Sequence, residues 1–212
     1  MRAAIEHFKK EKYFGYIYLS AFLLALHYAF VLYINSSFLG QFLTTRIVGL
    51  LFSAGAIINI IILLNISSIL RRFGNWKAMI TFLAIEMLAL LGLAVSKNSI
   101  TAGISFIIFQ SVASLLLFNL DVFLETEIKT ETHTGGIRGI FLTIINLAFV
   151  ISPFLVGRII GDSQYQNVYW FSLVFIVLLL LVISNKFKNF RDAHYPTMRI
   201  TAALSHFIEN KN

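Results

Sequence analysis

The chain has no cysteine among its 212 residues, which excludes disulfides, thiolate catalysis and Cys-based metal sites. Charge is scarce as well. Asp, Glu, Lys and Arg make up 13% of the residues and hydrophobic ones 58%, with a mean hydropathy of +0.81. A soluble domain of this length needs more polar surface to stay dispersed. Catalytic signatures are also missing. No His-Glu-x-x-His or Gly-x-Ser-x-Gly occurs, and Gly135-Gly136 lacks the Lys-Ser/Thr of a phosphate loop. The acids and single histidine of Glu125–His133 match no standard metal spacing, so a solvated loop is expected there. No enzymatic activity, cofactor or metal is expected.

What the chain does have is long apolar runs. A bilayer core about 30 Å thick needs roughly 20 apolar residues in a helix. Six runs qualify: Tyr13–Ile34, Arg46–Ile69, Trp76–Val95, Ile100–Phe123, Arg138–Ile160 and Val168–Ser184. Backbone amides in lipid must be satisfied within their own segment, so these are helices, and the alternation of a membrane barrel is absent. The fold class expected is an all-α membrane protein with six transmembrane helices over residues 1–184 and a cytoplasmic tail over 185–212.

The basic excess of +7 sits in short segments between the runs, which points to topology and the lipid bilayer and not to a nucleic-acid partner. With both termini cytoplasmic, 14 of the 17 Lys and Arg residues lie inside; only Arg46, Lys97 and Arg158 lie outside. Trp76, Tyr165, Tyr169 and Trp170 fall at span ends, where amphipathic rings suit the headgroup level. The first run follows a basic stretch, is too long for a signal-peptide core and reads as a retained anchor in a plasma (inner) membrane.

An internal repeat is suggested by Ala56-Ile57-Ile58-Asn59 against Thr143-Ile144-Ile145-Asn146. The same offset pairs Arg71 with Arg158 and carries the first three spans onto the last three. Three helices per unit give the copies opposite orientation, an inverted three-plus-three arrangement. Chance is the alternative, because Ile-Ile-Asn is a cheap match in an Ile-rich chain.

Three segments carry a family resemblance. Ser67-Ser68-Ile69-Leu70-Arg71-Arg72-Phe73-Gly74-Asn75-Trp76-Lys77, in the loop after the second span, is similar to a Gly-x-Leu-Ala-Asp-Arg-Phe-Gly-Arg-Arg-Lys signature. Arg72, Phe73, Gly74 and Lys77 match it, while Arg71 replaces the Asp. Asp121 and Glu125, followed by Gly135-Gly136-Ile137-Arg138-Gly139, form the second. Pro153 and Gly157 in Ala148–Gly157 retain part of a fifth-helix Gly-Pro motif associated with exporters. Together these resemble the N-terminal six-helix half of a major facilitator superfamily (MFS) transporter. Tyr195-Pro196 and Met198–Ile208 resemble the linker between the halves of such proteins.

The resemblance implies secondary transport of a small-molecule substrate by alternating access. The second six-helix half would come from the same chain if this is a fragment, from a homodimer, or from another polypeptide. The alternative is a non-transporting six-helix scaffold or partner subunit. By resemblance, the first and fourth helices line a central cavity and the third is peripheral.

Polar groups deep in a span need an explanation. His27 sits mid-span in helical register with Tyr16, Ser20 and Leu23. It is read either as a substrate or proton site or as a neutral histidine bonded between helices. Glu86 is protonated, paired or facing water, and a partnership with His27 is one open arrangement. Gln110 and Ser114 are candidates for binding solute or for bridging helices. Asn59 and Asn146 are expected to brace helix packing. Arg71, Arg72, Gly74, Lys77, Asp121 and Arg138 are gating-loop candidates, with the two arginines read either as headgroup anchors or as gating partners of Asp121.

Overall fold

A computed structural model describes residues 13–128, 134–161, 164–192 and 195. Its helices are α1 (Phe14–Leu32), α2 (Asn35–Gly40), α3 (Thr45–Leu64), α4 (Ile66–Phe73), α5 (Asn75–Ala94), α6 (Ser99–Glu127), α7 (Thr134–Ile160) and α8 (Tyr165–Lys186). Six helical stretches are long and apolar enough to cross a membrane, with α1 and α2 forming one of them. The regular structure among the described residues is all helical, and the chain is an integral membrane protein, as its apolar runs require.

The span boundaries differ from those expected in two informative places. The second apolar run does not continue to Ile69. Asn65 turns the chain, its side-chain amide donating to the Ile61 carbonyl at 2.8 Å, and a separate amphipathic helix α4 follows. That helix buries Ile66 and Leu70, one turn apart, and leaves Arg71 and Arg72 in its last turn, where cations complement the helix dipole. The first span does not stop at Ile34, because α2 carries it to Gly40.

Packing order follows a simple rule. The main contacts of α1 are with α6, α7 and α8; those of α6 are with α1, α3 and α5; and α5 also packs on α8. Exchanging α1 with α6, α3 with α7 and α5 with α8 maps this set onto itself, as an inverted three-plus-three repeat requires. The most buried span is α1, with 72% of its window inside the bundle, against 11% for α3 and 22% for α7. The core is therefore built around α1, while α3 and α7 present wide apolar faces outward, including Ile57, Ile60, Leu142 and Val150.

Pro153 lies inside α7 and has no N–H to give the Phe149 carbonyl one turn earlier. The Tyr33 hydroxyl, at the end of α1, donates to that carbonyl instead. At the opposite end, Phe187 and Phe190 wedge between Tyr13 and Phe123, with ring centroids 4.7–5.6 Å apart. This cluster fastens the segment after α8 beneath the bundle and leads the chain into Arg191 and Asp192.

Candidate functional site

His27 and Glu86 meet in the bundle interior. His27 Nε2 lies 3.2 Å from Glu86 Oε1, and both side chains are wholly buried. His27 Nδ1 lies 2.7 Å from Ser172 Oγ on α8, and the Ser172 hydroxyl also reaches the His27 carbonyl at 3.0 Å. The Phe109 ring of α6 stands edge-on to the imidazole, 6.0 Å between centroids. Glu86 Oε2 and Ser20 Oγ are buried without a hydrogen-bond partner among the described residues. Three helices thus converge on one polar cluster, and the open question of whether Glu86 partners His27 is answered by contact.

This cluster does not face the cavity that the family resemblance assigns to the first and fourth helices. A cavity of about 190 Å³ lies between α1, α6 and α7, lined by Leu24, Ala25, Tyr28, Ala113, Ser114, Leu117, Ile145 and Phe149. The polar residue of α1 that reaches it is Tyr28, next to His27 and on a different face. The Tyr28 ring stacks on Phe109 at 6.4 Å and meets Phe149 edge-on at 6.2 Å. Only two lining side chains carry a polar atom, Tyr28 and Ser114, and none is charged.

Ser114 also belongs to a polar seam joining α3 and α6. It donates to Asn59 Oδ1 at 2.9 Å, and Asn59 Nδ2 donates to the Ser111 carbonyl at 2.8 Å. Gln110 lies on this seam and not in the cavity wall. Its Cβ and Cγ fill the space where a side chain on Gly55 would begin, so the close approach of the two helices depends on that glycine. Asn59 braces the bundle as expected. Asn146 does not, because it is exposed and its amide returns to the Leu142 carbonyl of its own helix.

The gating-loop candidates gather at the face where α4, the end of α6 and the start of α7 lie. Arg138 pairs with Asp121 at 3.7 Å and bonds Glu125, each of the three being well exposed. Arg71 instead donates to Ser68 of its own helix at 3.2 Å, and Arg72 lies over the Phe73 ring at 5.3 Å. Lys77 is exposed in the first turn of α5. The acidic partner that sequence inspection offers to Arg71 is engaged elsewhere.

Gly74 joins α4 to α5 with φ +78°, a left-handed value that glycine adopts without strain. Its N–H closes α4 on the Leu70 carbonyl at 2.8 Å. Asp192, arriving from beyond α8, caps the next helix. Both its oxygens lie 3.2 Å from the Asn75 N–H, and Tyr195 donates its hydroxyl to Oδ1 at 3.1 Å. Burial, and then the Asp192 charge, push the Tyr195 phenol above its ordinary range. The carboxylate at this corner is thus Asp192, while the position of the signature's Asp holds Arg71.

Sequence inspection missed Ser172, Tyr28, Asn75 and Asp192. Serine and tyrosine are common in spans, and Asp192 looks like an ordinary tail residue. The linker-like stretch Met198–Ile208 and the loop residues 129–133 lie outside the described residues. Among the described residues no cluster of three His, Asp or Glu side chains could hold a metal.

Helix number, order and pseudo-symmetric packing match the fold of a six-helix MFS-like half. Among solved structures, a mutant form of the peptide transporter POT, in complex with sulfate, is similar to this chain at TM-score 0.70 and 17% identity. The match covers 94% of this chain and 44% of that one, so the chain spans less than half the length of the transporter it matches. No protein-family model matches the chain, and no curated protein does.

Proposed function

We propose that the chain is one half of an MFS-type secondary transporter that moves a small, uncharged solute by alternating access. Both of its termini would face the cytoplasm across a plasma membrane. The observation that carries this reading is the cavity between α1, α6 and α7, set in a fold shared with a solved transporter. Its wall offers aromatic rings, aliphatic groups and two hydroxyls but no charge, which suits a neutral solute better than a zwitterion.

Alternating access needs a second body to rock against. The outward faces of α3 and α7 are where that body would sit, whether it is more of the same polypeptide, a second copy or a partner chain. The basic residues of the even-numbered span ends support the assignment of sides.

The test is flux through the cavity. The protein, with whatever completes it, is reconstituted into liposomes and assayed with neutral sugars, short alcohols and a neutral fluorescent dye. Ala113→Phe fills the cavity and is expected to stop flux, whereas Leu88→Phe on the exposed face of α5 leaves it intact. Flux unaffected by Ala113→Phe would remove the cavity from the route. Absence of flux for every probe would favour the rival reading of a scaffold subunit.

A further inference from the structure

We propose that His27 and Glu86 form a binding site for one exchangeable proton, held behind the solute cavity between α1, α5 and α8. The argument is a count of hydrogens. Ser172 has one hydroxyl hydrogen, and its oxygen lies within bonding distance of both the His27 carbonyl and His27 Nδ1. The Ser172 hydroxyl donates to the His27 carbonyl, and with that hydrogen in use Nδ1 carries its own hydrogen and donates it to Ser172 Oγ. That leaves Nε2 facing Glu86 Oε1 at 3.2 Å. A bare nitrogen and a bare carboxylate oxygen do not bond, so one proton lies between them, on the carboxyl or on the imidazole.

In either placement the pair is neutral overall. Adding a proton would leave a net positive charge in the bundle core, and removing one a net negative charge. Both are costly where the two side chains are wholly buried. Among the described residues, no charged side chain contacts the pair to offset such a charge. α1 and α6 contain no Lys or Arg, and those of α5 and α8, Lys77 and Lys186, sit at helix ends. α8 presents Ser172, and the Tyr169 hydroxyl is spent on Asn35 at 3.0 Å. α6 presents Phe109, and Tyr28, next to His27 on α1, is a further titratable group. Proton exchange therefore requires water to reach the pair, which means loosening α1 against α5 or α8.

A purely structural bond needs no carboxyl. A glutamine at position 86 would give Nε2 the same hydrogen with nothing to ionise, so the carboxyl adds the capacity to release a proton. Glu86 Oε2, buried and unpartnered, is the open acceptor through which a proton can enter. Because α1 also forms the cavity wall through Tyr28, proton exchange and cavity opening draw on movement of the same helix. That coupling rests on the transport reading; the proton site does not.

The experiment is a pH titration by solid-state NMR of the full chain in liposomes, with labelled His nitrogens and Glu carboxyls. The expected result is an Nδ1–H tautomer at His27 at neutral pH and one joint step in which His27 and Glu86 change state together. Glu86→Gln should abolish that step and keep the Ser172 bond. If His27 and Glu86 in the unaltered protein keep one state from acidic to alkaline pH, or titrate independently, the proton site is overturned without need of any variant. If the joint step is present while no neutral solute crosses the membrane, the proton site stands and the transport reading falls.

Discussion

Tyr33 donates its hydroxyl to the carbonyl of Phe149 at 3.4 Å, across the contact between α1 and α7. The bond serves a carbonyl that Pro153 leaves without its helical N–H. Tyr33→Phe should therefore destabilise the protein by about 0.5–1 kcal/mol. In a Pro153→Ala background the helix supplies its own donor and the same substitution should cost little. Thermal midpoints in detergent for the four variants measure the difference; equal costs in both backgrounds would contradict the assignment.

Asp192 ties the segment after the last span to the first turn of α5. Loss of a helix cap typically costs about 1 kcal/mol, so Asp192→Ala should lower the midpoint of unfolding by that measure. Gly74→Ala should cost more. It strains a backbone at φ +78° and also drives a methyl group against the Asp192 carboxylate. In the Asp192→Ala background the steric part of that cost should vanish and the backbone part, about 1 kcal/mol, should remain.

Asn59 and Asn146 occupy matching repeat positions but different surroundings. Asn59→Ala breaks two hydrogen bonds between α3 and α6 and should destabilise by about 1–2 kcal/mol. Asn146→Ala removes a bond internal to its own exposed helix face and should be close to neutral. A comparable loss at both positions would argue against the seam.

Membrane sidedness can be read with thiol reagents, because the chain has no cysteine of its own. A membrane-impermeant reagent applied to intact cells should label Lys97→Cys and spare Arg71→Cys; inverted vesicles should reverse the result. Both positions are exposed, so silence cannot be blamed on burial. The opposite labelling would invert the topology read from the basic residues.

The spans were legible because a bilayer imposes a minimum length on apolar helices. His27 and Glu86 stood out individually, since an ionisable group mid-span is costly anywhere. Their pairing was not legible. It depends on how α1 and α5 are rotated, and 59 residues separate the two. Ser172 carried no signal, being one hydroxyl in a run of apolar residues. The end of the second span was misplaced because Ile66, Ile69 and Leu70 prolong the apolar run, while the turn is made by one asparagine. The segment Ser67–Lys77, read as a loop, instead holds most of α4 and its corner with α5, and the carboxylate there arrives from more than a hundred residues further along. Linear inspection cannot supply such a partner.

The most direct test of the central claim is accessibility of the cavity from the two sides of the membrane. Ala113→Cys and Leu117→Cys place a thiol on its α6 wall, and an impermeant reagent is offered to right-side-out and to inverted vesicles holding the complete transporter assembly. Alternating access predicts labelling from both sides, with each side's rate altered when the cavity is occupied by a transported solute. Labelling confined to one side under every condition would contradict it and leave the chain a scaffold.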